Sequence, residues 1–434
     1  MLTQNDFINI EKQATAIYES LELEIIGEIA TRIARVGYAN TVVLNDIQIA
    51  QEMGVLYTDI IYLVAKYNNT SYEEVAKIFE EAGAKTLSRD DFIYKEAGLN
   101  PVPIKQSRPI MQTMSATIEK TAGNLQNLVM TTASVAQTQF YNAMNMAYLE
   151  VSTGVKSYSQ SILDAIDNIS SQGATITYPS GRNMSLESAV RMNIITGVNQ
   201  TCGKLQELRA DEVGWDLMEL TAHSGARPSH ASWQGKIVSR SGKKGYLSLD
   251  DIGYGKATGF KGVNCRHDWY PYLEGSARTY TQEQLDAWEN EKVTYNGKEY
   301  SKYDATQLQR AMERRIRADK KELAGLQGIL TSAKDNKLIE NTKTEFGKRS
   351  LIYKTHQNEL DDFIQQTSLR KDSTRLYVGK QDKSISTQVA NVTKIANKYN
   401  KSDIVGSNVN NIKITEIGEH IISRTYARNV TFEN

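Results

Sequence analysis

The chain has 434 residues, 40% of them hydrophobic and 24% charged, and its 51 basic residues balance 51 acidic ones. This length is more than one hydrophobic core supports and predicts roughly two to four domains. No apolar run approaches the roughly 20 residues of a membrane-spanning helix, and the first residues lack the pattern of a signal peptide. The two cysteines lie far apart and form no disulfide framework, so we expect assembly in a reducing cytoplasm, without a membrane.

The charge is unevenly distributed along the chain. Residues 301–434 contain 24 Lys and Arg against 16 Asp and Glu, a net charge of +8, whereas residues 1–100 lean acidic. A basic end can contact nucleic acid. A helix-rich tail with lysines on its solvated face gives the same count, so composition leaves both interpretations open.

Residues 1–100 are predicted to form a helical region built from short helices. Apolar residues at helical spacing predict a helix over residues 10–37, which ends at a glycine. The capping-box pair Ser71 and Glu74 predicts the start of another helix. Residues 49–67 have the helix–Gly–helix spacing of either a helix-turn-helix or a plain helical hairpin.

A proline-rich linker over residues 101–111 separates this region from a central α+β domain over residues 112–277. The linker holds half of the chain's prolines, and a helix does not run through such a cluster. The low-charge stretch beyond it predicts helices packed closely on each other or on a partner, with the methionines (Met130, Met144, Met146) in the core. A short strand then leads into a turn over residues 179–181.

Residues 221–275 contain a high density of rare residues. Three of the chain's five histidines lie there, with one cysteine and two tryptophans (His223, His230, His267, Cys265, Trp233, Trp269). His223, His230, Cys265 and His267 are the types of ligand that zinc prefers. Their spacing matches no standard zinc motif, and we do not expect both side chains of the Cys-x-His pair to point inward together. A thiolate–imidazole nucleophile and a hydrogen-bonded structural cluster are the alternatives.

Two further patterns occur in and after this window. Residues 235–249 are predicted to form a hairpin. The glycines and lysines of residues 252–262 fit either a phosphate-binding loop, although no P-loop motif is present, or a flexible loop.

Residues 278–370 predict a hairpin and long helical region. Thr281 and Gln284 form a capping box. Asn296 and Gly297 suit a type I′ turn between two strands. Apolar residues three, four or seven apart predict one long helix over residues 304–366.

Residues 371–434 predict a small C-terminal α+β region, with strands over residues 375–379 and 411–417. In its last helix His420, Arg424 and Arg428 recur every fourth residue and share one face. A histidine together with two arginines suits acid–base cleavage of a phosphodiester, and a small exposed basic face accounts for the same residues. In sum the sequence predicts an α+β protein that is predominantly helical.

The motifs of residues 225–238 and 262–275, with the upstream run over residues 177–205, resemble the minor capsid proteins of tailed phages and prophages of Gram-positive bacteria. These proteins belong to the broader Mu F-like head morphogenesis group. The resemblance covers roughly residues 1–280. The family positions fall on Tyr178, Ser180, Gly181, Arg182, Arg191, Gly197, Asn199, Gln200, His223, Gly225, Ala226, Arg227, His230, Trp233, Gln234, Gly235, Gly262, Asn264, Cys265, Arg266, His267, Tyr270 and Pro271.

The resemblance implies a virion component of low copy number at the portal vertex or capsid interior, acting in head assembly and DNA packaging or ejection. It implies as partners the portal protein and major capsid or scaffold proteins, with packaged DNA as a further candidate. It implies oligomerisation within the virion, and neither a cofactor nor catalysis by the central minor-head domain. Some family members carry C-terminal toxin-like nucleases, which makes His420, Arg424 and Arg428 candidate catalytic residues of an RNase domain. The strands that would complete such an active site are missing.

Overall fold

A computed structural model describes residues 1–36, 42–173, 175–178, 183–378 and 382–399. The fold is predominantly helical with small antiparallel sheets, which confirms the predicted class. The helices are α1 (Gln4–Val36), α2 (Val42–Glu96), α3 (Arg108–Ser152), α4 (Tyr158–Gln172), α5 (Leu186–Val213), α6 (Pro228–Ala231), α7 (Gln282–Glu289), α8 (Lys302–Ser332), α9 (Asn336–Thr367) and α10 (Asp382–Tyr399). The strands are β1 (Thr175–Thr177), β2 (Asn183–Ser185), β3 (Leu217–Leu220), β4 (Ile237–Ser239), β5 (Trp269–Pro271), β6 (Lys292–Tyr295) and β7 (Lys298–Ser301).

The N-terminal helices are longer than the sequence predicted. The helix predicted over residues 10–37 is confirmed by α1 as far as Val36, but α2 is one continuous helix of 55 residues. It runs through Gly54 and through residues 71–74, so the predicted hairpin, helix-turn-helix and capping-box start are wrong. A glycine inside a helix costs about 1 kcal/mol of stability relative to alanine. Burial of the apolar residues on both sides of Gly54 and of residues 71–74 stabilises the continuous helix by more than this.

The proline cluster interrupts the helices as predicted. Helix α2 ends at Glu96 and α3 begins at Arg108, with a single 3-10 turn between them. The prediction that the methionines of α3 lie in the core is correct for Met144 but wrong for Met130 and Met146, which are 48% and 57% exposed. Helical spacing does not show which face of a helix is buried, and the unbranched side chain of methionine is accommodated on a buried or an exposed face.

The described chain divides into two compact units, each assembled from three separate segments. Unit 1 comprises Met1–Ile17, Tyr67–Leu128 and Glu187–Leu308, and unit 2 comprises Tyr18–Lys66, Val129–Leu186 and the described part of residues 309–434. The domain boundaries predicted from the sequence, near residues 100, 111, 277 and 370, remain predictions.

Unit 1 is built around a three-stranded antiparallel sheet with the order β4-β3-β5. Strand β3 is the central strand, and all four of its residues are buried. Its Met218 pairs with Val238 of β4 on one side and with Pro271 of β5 on the other. The hairpin predicted over residues 235–249 is wrong: β4 pairs with β3 instead, and Leu247 returns to Val238 as an isolated parallel bridge. The β6–β7 hairpin is confirmed, with Asn296 and Gly297 at φ of 50° and 74°.

Unit 2 is mainly helical and also contains the small β1–β2 sheet. A Cβ added to Gly328 of α8 would lie 2.8 Å from Cβ of Ala30 in α1, so these helices approach each other at small residues. The long helix predicted over residues 304–366 is divided into α8 and α9, since Asp335 caps α9 through the backbone N–H of Leu338. The strand predicted over residues 375–379 is wrong for the part that the structure describes, residues 375–378, because Ser373–Leu376 form a 3-10 turn. No helix in the described ranges has the length and apolar character needed to cross a membrane.

Candidate functional site

The rare residues of the window at 221–275 converge in unit 1, beside the β4-β3-β5 sheet. Its apolar cluster comprises Met218, Leu220, Trp233, Val238, Ile252, Phe260, Cys265 and Trp269. Helix α6 begins at a proline in its first position, where the missing N–H costs nothing, and presents His230 to the interior. Gly235 follows at φ 66°, and a Cβ there would lie 2.9 Å from Leu285, so this turn needs glycine.

The glycine-rich loop is held by close backbone contacts. A Cβ on Gly259 would lie 2.0 Å from the carbonyl oxygen of Gly253, and one on Gly262 would lie 2.5 Å from two carbonyl oxygens. Lys261 is buried, with Nζ 2.8 Å from Oδ1 of Asn199 and 2.5 Å from Oδ1 of Asp268. The backbone packing therefore explains these glycines, and Lys261 is engaged in an ion pair rather than turned toward a phosphate.

Three of the four predicted metal ligands come together. The Nδ1 atoms of His230 and His267 lie 3.3 Å apart, and Sγ of Cys265 lies 3.8 Å from Nδ1 of His267. All three ligand atoms are buried and lie within 4.8 Å of one another. The expectation that Cys265 and His267 would not both point inward is wrong, because residues two apart on an extended segment share a face.

His223 lies beside this group without joining its ligand atoms. Its ring stacks on His267 with 4.5 Å between centroids, and its Nδ1 lies 3.0 Å from the carbonyl oxygen of Ser224. Burial lowers the pKa of His223 and of His230, and lowers that of His267 well below its usual value. The rings are therefore neutral imidazoles at neutral pH.

The geometry does not support a nucleophilic cysteine. Burial raises the pKa of the Cys265 thiol, whereas an activated thiolate needs a lowered pKa and access to solvent. The ring of His267 is turned toward Gln234, whose Oε1 lies 3.2 Å from its Nε2. Gln234 therefore orients the His267 ring with a neutral amide. This amide lacks the negative charge with which a carboxylate would stabilise the protonated histidine of a cysteine–histidine pair.

Two buried carboxylates adjoin the cluster, and sequence reasoning missed both. Asp268 accepts hydrogen bonds from Lys261 and from the backbone N–H of Leu2, at 2.5 Å each. Burial raises its pKa, but the Lys261 ion pair and these hydrogen bonds outweigh burial and lower it overall. Asp90 is fully buried, which raises its pKa to about 7, and Nε2 of Gln206 joins it to the carbonyl oxygen of Trp269.

Several other family positions in the described ranges bond to backbone groups or form ion pairs near the cluster. Arg227 donates to the carbonyl oxygen of Val263 at 3.2 Å. Asn264, just before Cys265, has a φ of 55° and therefore lies in the left-handed region, which is unfavourable for most residues. Arg266 forms an ion pair with Glu11 of α1, and Asn199 donates to the carbonyl oxygens of Cys265 and His267 at 2.8 and 3.2 Å.

Several predicted residues fall apart from this cluster or beyond the described ranges. Tyr178 follows β1 and is half-buried in unit 2, and Gly225 adopts φ 70° in the turn before α6. Pro271 lies in β5 opposite Met218. Ser180, Gly181, Arg182, His420, Arg424 and Arg428 lie outside the described residues.

The comparisons with known proteins agree on one kind of protein, a structural protein of phages. The model of phage minor capsid protein 2 matches residues 2–365. A structural protein of Lactococcus phage LL-H is 27% identical over 281 residues, which cover 61% of this chain and 73% of that protein. A structural protein of Lactococcus phage mv4 is 33% identical over 72 residues, or 17% of this chain and 50% of that protein. No solved structure matches. The match over most of the chain shows that the chain belongs to the phage minor capsid protein 2 family.

Proposed function

We propose that this virion structural protein associates with the portal vertex and acts in head assembly and in DNA packaging or ejection. The observation that carries the proposal is the family match over residues 2–365, together with relatives named as phage structural proteins. The buried imidazoles and thiol of unit 1 fit a rigid body rather than a catalytic centre. Its partners would be the portal protein and the major capsid or scaffold proteins.

Exposed apolar side chains in unit 2 offer a surface for such a partner. In α2, five large apolar residues within sixteen positions are exposed, and Tyr62 is the most exposed at 71% (Ile47, Val55, Tyr57, Ile61, Tyr62). In α3, four more are exposed (Met130, Tyr141, Met146, Leu149). Apolar groups gathered on a protein surface mark contacts with other proteins, and these segments of α2 and α3 together expose the nine large apolar side chains named above.

Photo-crosslinking in the assembled particle tests the portal placement. A photoreactive phenylalanine analogue replaces Tyr62, the particles are irradiated, and the crosslinked partner is identified by mass spectrometry. We expect the portal protein as the principal partner. Crosslinks to the major capsid protein alone would refute portal association while leaving the family assignment intact.

A charge placed on the same surface provides an independent test. Tyr62→Asp should reduce incorporation into particles, because an aspartate would be buried at the contact. Tyr62→Phe keeps the aromatic ring at the same position of α2 without adding a charge and serves as the control. Equal incorporation of the two variants, with unchanged circular dichroism, would exclude this face of α2 from the contact.

The alternative of a C-terminal RNase concerns residues that the family model does not match, since the match ends at residue 365. The purified chain is incubated with RNA beside its His420→Ala variant. Cleavage that the substitution abolishes would establish the nuclease, and the absence of cleavage by the unmodified chain would leave the structural role alone.

A further inference from the structure

His230, Cys265 and His267 form a buried group of potential metal ligands, and two of the distances between their ligand atoms match those of a tetrahedral metal site. In such a site, Zn–N bonds of about 2.05 Å and a Zn–S bond of about 2.3 Å place two nitrogens roughly 3.3 Å apart and sulfur roughly 3.6 Å from nitrogen. The two Nδ1 atoms lie 3.3 Å apart, and Sγ lies 3.8 Å from Nδ1 of His267. These two distances agree with the ideal values within a few tenths of an ångström, and all three ligand atoms lie within 4.8 Å of one another.

The hydrogen bond of His230 determines which of its ring nitrogens carries the proton. Its Nε2 lies 2.9 Å from the carbonyl oxygen of Thr258. A carbonyl oxygen only accepts, so Nε2 must donate its proton there. In the neutral ring, Nδ1 is then left with a lone pair that points toward His267.

His267 is held in the same tautomer by Gln234. The backbone N–H of His223 donates to Oε1 of Gln234 at 3.1 Å, and this fixed donor identifies that atom as the amide oxygen. Nε2 of His267, 3.2 Å from the same oxygen, must therefore donate as well. Its Nδ1 also carries a lone pair, so two lone pairs face each other at 3.3 Å.

Two facing lone pairs repel unless an electrophile lies between them. Metal-binding histidines show this same arrangement, in which the outer ring N–H is bonded to a carbonyl or carboxylate and the inner nitrogen faces the metal. The thiol of Cys265 supplies a third ligand once it loses its proton. Sulfur and imidazole together favour zinc over the hard cations magnesium and calcium.

We propose that His230, Cys265 and His267 bind one zinc ion through Nδ1, Sγ and Nδ1, with solvent as the fourth ligand. Binding releases the thiol proton of Cys265 to solvent and forms a zinc–thiolate bond. The ion would join α6 to the segment that leads into β5, and thereby fix the loop of residues 250–265. The inference is independent of portal association, because it concerns the interior of unit 1.

Metal content of the full chain, purified without a histidine tag and reconstituted with zinc, tests the proposal. We expect about one tightly bound zinc per chain, and a loss of most of it in Cys265→Ser. Cys202→Ser is the matched control, since Cys202 is the other free, buried cysteine and lies on α5. Zinc far below one equivalent in the unmodified chain, or equal zinc in both variants, would overturn the proposal.

Cobalt substitution gives a readout that needs no variant to fold. A tetrahedral cobalt site with a thiolate ligand shows a sulfur-to-metal charge-transfer band and intense visible bands. Both should develop on titration of the unmodified metal-free chain with Co²⁺ and disappear on addition of zinc. A titration that yields only the weak spectrum of hydrated cobalt would refute the site.

Discussion

Replacing Trp269 by alanine should destabilise unit 1 by about 3–5 kcal/mol. The indole is fully buried and lies 5.2 and 5.3 Å, between ring centroids, from Phe260 and Tyr254. Burying about 250 Å² of indole contributes roughly 6 kcal/mol at about 25 cal/mol per Å². Residual burial in the unfolded chain reduces this figure by roughly 10–40%. Nε1 has no hydrogen-bond partner among the described residues, which lowers the cost of removal further.

Differential scanning calorimetry measures the effect as a shift in the melting temperature of unit 1. For a unit of about 200 residues, 1 kcal/mol corresponds to roughly 2–4 °C, so we expect a decrease on the order of 10 °C. Trp269→Phe keeps most of the ring contacts and removes the unpaired N–H, and should cost less than half as much. Trp288→Ala removes a half-buried indole on α7 and is the control. A decrease no larger than that of the control would refute the assignment of Trp269 to the core.

Three further substitutions in unit 1 have expected effects on stability. The pKa of Asp90 is raised to about 7 by burial, so its contribution to stability is present below pH 4 and is lost as the pH rises to about 7. Between pH 4 and pH 8 the free energy of unfolding should therefore fall by about 4 kcal/mol more in the unmodified chain than in Asp90→Asn. The same pH dependence of this free energy in both proteins, measured by urea unfolding, would contradict the prediction. Gly259→Ala should cost at least about 2 kcal/mol, because its Cβ would overlap the backbone of Gly253. Gly123→Ala, with open space around it in α3, should instead stabilise by about 0.5–1 kcal/mol in the same melts.

Short-range signals in the sequence predicted local structure well. The Asn296-Gly297 turn is correct because both residues tolerate positive φ and the flanking strands favour β-structure. The Thr281 cap is correct because its side chain accepts from the backbone N–H of Gln284. Such signals need only a few neighbouring residues, and nothing distant in the chain competes with them.

The extent of the helices could not be read from the same signals. Gly54 and Gly83 mark possible ends of a helix, yet α2 continues through both. Whether a glycine ends a helix depends on what packs against the next turn. For Gly83 these are Met114 of α3 and Leu205 of α5, whose side chains lie 2.7 and 3.0 Å from the position of a Cβ. A contact across more than 100 residues leaves no trace in the local pattern.

The ligand cluster was predictable in its residues but not in its geometry, and the buried carboxylates were not predicted at all. Asp90 nevertheless has a visible signal, because Leu87 and Tyr94, three residues before and four after it, are fully buried. An acidic residue at that spacing lies on the apolar face of its helix. Its partner Gln206 lies in another helix far along the chain, and this pairing depends on the tertiary fold.

The alternation of residues 265–269 explains why the motif contains such dissimilar side chains. Cys265, His267 and Trp269 share one face and are buried in or against the apolar cluster. Arg266 and Asp268 lie on the other face, where each forms an ion pair, with Glu11 and Lys261 respectively. A shift of this segment by one residue would place both charges in the apolar cluster and remove both ion pairs. Because an unpaired buried charge costs several kcal/mol, the motif admits a single register. The precise placement of the Cys265 and His267 ligand atoms follows from that register and requires no metal to be present during folding.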